Sequence, residues 1–123
     1  MDDLVPPRFY SSRRIIEGKL WGITGYFSQP GAVDSMPFGG YFFLESLLGR
    51  EIIFGKLIDS LGAATIVNGQ INLEEKFSFD KRYDQSHHNL IRYDFEKNGN
   101  IWIGSYKTKN IEGRANCVIQ PLT

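Results

Sequence analysis

Residues 76–83, KFSFDKRY, alternate without a break. Lys76, Ser78, Asp80 and Arg82 make one row; Phe77, Phe79, Lys81 and Tyr83 make the other. A period of two marks a strand with one face on water and one on a core. The same alternation runs through RYDFEKNGNIWIGSY, residues 92–106, which reads as two strands around Asn98-Gly99. An Asn-Gly loop favours a type I′ turn and pairs Lys97 with Asn100, Phe95 with Trp102, Tyr93 with Gly104 and Ile91 with Tyr106. Paired residues share a face, so Ile91, Tyr93, Phe95, Trp102 and Tyr106 point inward together. Gly104 then leaves room for the ring of Tyr93. In the last strand Ala115, Cys117 and Ile119 face in; in the first, Trp21, Ile23 and Phe27 do.

Extending the pattern along the chain places strands near 14–27, 40–47, 50–58, 63–71, 75–83, 89–97, 100–108 and 113–120. SQPGAVDSMPFGG, residues 28–40, reads as a long loop from its Gly, Pro, Asp and Ser content. Residues 44–49, within LESLLG, fit either a strand end or one helical turn. Residues 1–13 read as an irregular arm, and 14–123 as a single domain. Short strands at this spacing predict an all-β fold. Closing eight antiparallel strands into an up-and-down barrel leaves no exposed edge.

The pattern resembles a known group. A glycine–tryptophan first strand (GKLWGITGYF), followed by FGKLIDSLGAATIVNGQI, FDKRY, IRY, IGSY and EGRANCVI, is similar to small calycin-like β-barrel domains. That group includes lipocalins, avidins and fatty-acid-binding proteins. The resemblance covers roughly residues 52–120 and the first strand. It implies the barrel. It implies no particular ligand, because the shared residues are glycines, a turn aspartate and inward aromatics. The lipocalin Gly-x-Trp is absent, since Gly18 and Trp21 are three apart, and no helical lid is evident.

Composition narrows the function. The chain has 123 residues and a formal net charge of zero, so no bulk field draws nucleic acid or an acidic membrane. Arg8, Arg13 and Arg14 interleave with Phe9 and Tyr10 over too short a stretch to change that. The longest apolar runs cannot span a bilayer. The single cysteine, Cys117, allows neither an internal disulfide nor a cysteine metal cage. These features point to a soluble cytoplasmic protein without a cofactor or metal. His87 and His88 are adjacent and point apart in an extended chain, which suits a solvated turn better than chelation. No nucleophile or acid–base motif is present, so the expectation leans away from an enzyme.

The chemistry that remains is inside. Lysine on an apolar inward face costs free energy unless it is paired or reaches a wet opening. Lys81, Tyr83, Tyr93, Trp102, Tyr106 and Phe79 therefore form the candidate ligand site in the barrel mouth. In that reading Lys81 meets an anionic group and the tyrosine hydroxyls orient it. In the alternative the rings fill the barrel, Lys81 pairs with a carboxylate, and the outer strands serve as a protein-interaction or oligomer surface. Ile101 and Ile103, outward neighbours on one strand, are the candidate interface.

Overall fold

The computed structural model describes residues 19–86 and 89–122. Its eight strands are β1 (Lys19–Ser28), β2 (Met36–Leu47), β3 (Arg50–Asp59), β4 (Gly62–Asn72), β5 (Lys76–Tyr83), β6 (Ile91–Asn98), β7 (Ile101–Lys107) and β8 (Glu112–Pro121). Each pairs antiparallel with the next, and β8 returns to pair with β1 from Trp21↔Pro121 to Ser28↔Arg114. The result is a closed up-and-down barrel. Among the described residues no helix is long and apolar enough to cross a membrane. Residues 1–18, His87 and His88 lie outside the described residues, and with them the arm, the start expected for the first strand and the histidine turn.

Alternation sorts the side chains as the pattern requires. Ile23, Phe27, Phe42, Phe77, Phe79, Tyr93, Phe95, Trp102, Ala115 and Cys117 are buried inside. Cross-strand partners become ring pairs. Phe77 and Phe95 stack at 4.8 Å, Phe79 and Tyr93 at 5.1 Å, and Tyr93 and Tyr106 at 5.7 Å. Trp102 meets Phe77 edge-on at 5.0 Å. Phe27 and Phe38 continue this aromatic interior towards Tyr106 and Tyr93.

Two expectations, the 28–40 loop and the hairpin register, need correction, and the choice left open at 44–49 is decided. The loop assigned to 28–40 is shorter, because β2 begins at Met36 and its first residues pair with Gly25–Phe27 of β1. Burial of Phe38 draws this segment into the sheet despite its Pro and Gly content. No helical turn forms at 44–49; Leu44 is buried, and the strand runs to Leu47 before a two-residue turn, Leu48-Gly49. The β6–β7 hairpin turns on Gly99-Asn100, not Asn98-Gly99: Asn98 pairs with Ile101, Lys97 with Trp102, Phe95 with Gly104 and Tyr93 with Tyr106. Gly99 has φ of 67° while Asn100 is not left-handed, and glycine at the first central position suits a II′ turn. The slip is two residues, so every side chain keeps its face.

Gly104 accordingly faces Phe95, and its empty side has a different use. A Cβ there would sit 1.7 Å from the Asp94 carbonyl oxygen and 2.8 Å from the Phe95 Cα. The β6 backbone occupies the space. Gly104→Ala is expected to cost ~2–3 kcal/mol, the upper part of the overpacking range. Urea unfolding would show a lower midpoint with an unchanged slope.

A bulge bends β4. Its register shifts against β3 between Ile66 and Gly69 and against β5 between Val67 and Gln70, and Asn68 adopts φ of 55°. Inward parity changes there, from Ala64 and Ile66 to Gly69 and Ile71. The Asn68 side-chain amide donates to Asp80 at 2.8 Å and anchors the bulge to β5.

Candidate functional site

Parity on β5 sends Lys81 and Tyr83 into the barrel at the end where β1, β3, β5 and β7 finish. Parity on β3 does the same for Asp59, the next inward position after buried Leu57. The three meet. Lys81 Nζ donates to Asp59 Oδ2, and both side chains are buried, 1% and 0% exposed. The Tyr83 hydroxyl donates to the same oxygen at 2.6 Å. The Leu61 backbone N–H donates to Oδ1 at 2.7 Å, so Asp59 also caps the β3–β4 turn.

Aromatic faces complete the surroundings of the ammonium. Nζ lies 4.6 Å from the Tyr83 ring centre, 5.0 Å from Phe27 and 5.7 Å from Tyr93. A cation near a ring face is attracted by the ring quadrupole, more so once desolvated.

Burial works to raise the Asp59 pKa, but the bonds from Lys81, Tyr83 and Leu61 outweigh it and hold the carboxyl below its ordinary 3.8. Burial lowers the Lys81 pKa below its ordinary 10.5, against the pull of Asp59. Burial first, then the bond to Asp59, pushes the Tyr83 phenol far up. Burial and the Asp59 charge do the same to Tyr93, and burial raises Tyr106. The Cys117 thiol is pushed up to about 12 by burial, which leaves it protonated and inert.

The candidate ligand residues are thus gathered in one interior, but their polar handles are engaged. Lys81 and Tyr83 bind Asp59, while Phe79, Tyr93, Trp102 and Tyr106 are packed ring on ring. Two surface depressions, of about 930 and 540 Å³, lie elsewhere. The larger runs along polar outer positions such as Gln70, Ser78, Arg92 and Asp94. The smaller lies between loop residues Gln29–Ala32 and the β7–β8 ladder. None of the candidate ligand residues lines either one.

Asp59 is the functional residue that local reading missed as a partner. Its signal was the inward parity of Leu57 and Asp59 in KLID. A second polar cluster lies outside the same end: Lys56 bonds Asp84 at 2.5 Å and Thr65 at 2.8 Å, and Thr65 donates to Asp84 at 2.7 Å. Lys56 and Asp84 are partly exposed, so this cluster ties β3, β4 and the end of β5 together at the surface. Among the described residues no three His, Cys, Asp or Glu side chains converge as metal ligands. The candidate interface residues Ile101 and Ile103 are outward and 42% and 44% exposed.

No protein-family model matches the chain, and no curated protein matches it.

Proposed function

We propose that the chain is a non-enzymatic, solid-cored barrel that acts through its outer surface, as a protein-interaction module. One observation carries this reading: Asp59 takes the seat beside Lys81 and Tyr83 that an anionic ligand would need, while stacked rings take the volume. A lysine whose charge is answered internally is a structural group. The closed eight-strand meander supports a place among calycin-like barrels, and eight strands enclose an interior that side chains just fill. The lone buried thiol suits a reducing compartment such as the cytoplasm.

Native mass spectrometry of protein from a complex lysate tests the reading. The expected spectrum shows polypeptide mass alone. A stoichiometric added mass that vanishes on denaturation would overturn the solid barrel and return the site to the mouth.

Anion binding in the barrel mouth, the second reading, draws support from the position of the same cluster. Tyr83 is only partly buried, and the Asp59–Lys81–Tyr83 cluster lies at the end where the 29–35 and 108–111 loops gather. An entering carboxylate or phosphate would displace Asp59 from Lys81. Lys81→Ala would then abolish binding of the anionic ligand, and unchanged affinity would remove Lys81 from the site.

A further inference from the structure

The Asp59–Lys81–Tyr83 cluster has more order than a buried ion pair needs. Both oxygens of the Asp59 carboxyl are held. Oδ2 accepts from Lys81 Nζ and from the Tyr83 hydroxyl, and Oδ1 accepts from the Leu61 N–H. An amine therefore lies beside a carboxyl carbon whose two oxygens each face a donor. These are the parts of an acyl-transfer site: a nucleophile, an oxyanion donor and an acid at the leaving oxygen.

The surroundings suit the same chemistry. The two side chains are 1% and 0% exposed, so water does not compete with the amine for the carboxyl. Phe27, Tyr83 and Tyr93 wall the nitrogen with ring faces. Inside such a wall the neutral amine and neutral acid lie closer in energy to the ion pair than they do in water, because charge has lost its solvent. β4 runs between the two and brings only Gly62 and Ala64 to its inner face at this level, so Lys81 reaches across from β5 to β3.

The geometry points to a covalent bond that the chain makes with itself, an isopeptide amide between Lys81 Nζ and Asp59 Cγ. The inference rests on the solid-barrel reading, in which these side chains answer each other, and gives the pair a further use. One proton passes from Nζ to Oδ2 along their hydrogen bond, leaving an amine and a carboxylic acid. The Nζ lone pair attacks Cγ, a C–N bond forms, and the carbonyl electron pair moves onto Oδ1, facing the Leu61 N–H. The Cγ–Oδ2 bond then breaks. Tyr83 gives a proton to Oδ2, which leaves as water, and takes one back from the nitrogen. In sum an ammonium and a carboxylate become an amide and one water, and nothing is oxidised or reduced. Tyr83 is partly exposed at the barrel mouth, which gives the water its way out. Well-oriented partners reach effective molarities of ~10⁵ M or more, which offsets the sluggishness of a carboxylate as acyl donor. The product also buries no charge. The chain folds with the ion pair, and the amide accumulates from it with time. It ties residues 22 positions apart across β3, β4 and β5, and it constrains the unfolded chain as a disulfide does.

Intact mass under denaturing conditions reads the reaction directly. Between purification and a week's storage, the unaltered chain should shift to a mass lower by one water. A lysine-specific protease should then fail to cut after Lys81, and fragmentation should place the link between the peptides carrying Asp59 and Lys81. A succinimide at Asp59-Ser60 has the same mass but leaves Lys81 open to the protease. Lys81→Arg, which keeps a cation beside Asp59, should hold the full mass throughout. Tyr83→Phe keeps the ring and should slow the loss of water ~100-fold, a usual worth for a general acid.

Full mass after storage, with Lys81 still cleavable, would overturn the bond, and this reading needs no variant to fold. A lower mass that persists in Lys81→Arg would overturn it as well. An unchanged rate in Tyr83→Phe would strike Tyr83 from the reaction. A small molecule that adds mass under native conditions and departs on denaturation would instead overturn the solid-barrel reading, since it is a gain without a covalent change.

Discussion

Asp59→Ala lowers the unfolding free energy by about 3–5 kcal/mol, the range for removing one partner of a buried ion pair. The loss exceeds the worth of the contact itself. Without Asp59, the Lys81 ammonium stays in a fully buried position with ring faces for company, and the Tyr83 hydroxyl loses its acceptor. Replacing both partners separates the two effects. Asp59→Leu with Lys81→Met is expected to be far milder than Asp59→Ala, since no charge remains to be compensated. Chemical denaturation of the three proteins measures this. A single variant no less stable than the parent would show that the pair is not held as described.

The same residue sets an acid limit. The Asp59 carboxyl is held below its ordinary 3.8, so the folded state binds its proton less readily than the unfolded chain does. Its contribution is complete above pH ~4 and is lost as pH falls through the folded value. Lys81, also depressed, adds a slope of the same sign on the alkaline side: stability rises as pH climbs through its folded value towards 10.5. Melting temperature should therefore fall steeply below pH ~4 in the parent and less steeply in Asp59→Asn.

Phe79→Ala is the other large effect, about 3–5 kcal/mol. Phe79 is fully buried and stacks with Tyr93 at 5.1 Å and Phe77 at 6.1 Å. Those neighbours sit on backbone that the barrel's hydrogen bonds hold in place, so the void cannot collapse around a methyl group. Phe79→Leu, which keeps most of the volume, should cost less than half as much. Equal losses in the two variants would mean that ring stacking, rather than filled volume, governs the site.

Strand positions and faces were legible wherever alternation was strict. KFSFDKRY placed Lys81 and Tyr83 inside correctly because period two leaves no choice of face. Register was less legible: Asn98-Gly99 offered a local turn signal, and the chain used Gly99-Asn100. Another Asn-Gly pair, Asn68-Gly69, makes a bulge rather than a turn, decided by the register of two neighbouring strands. The 28–40 segment shows composition losing to burial, since Phe38 is core despite the prolines and glycines around it. Half of Asp59's role was readable, namely the turn cap in LIDSLG. Its bond to Lys81 was not, because the two lie 22 positions apart and meet only when the barrel closes.

Closure also governs how such a chain must assemble. Seven of the eight strand pairings join neighbours through short connections and can zip in sequence. The seam is different: Trp21 must find Pro121, a hundred positions away. The entropy of bringing those ends together is spent before the seam's bonds repay it. The β1–β8 ladder is thus the slow step in, and the first place the barrel springs open on the way out.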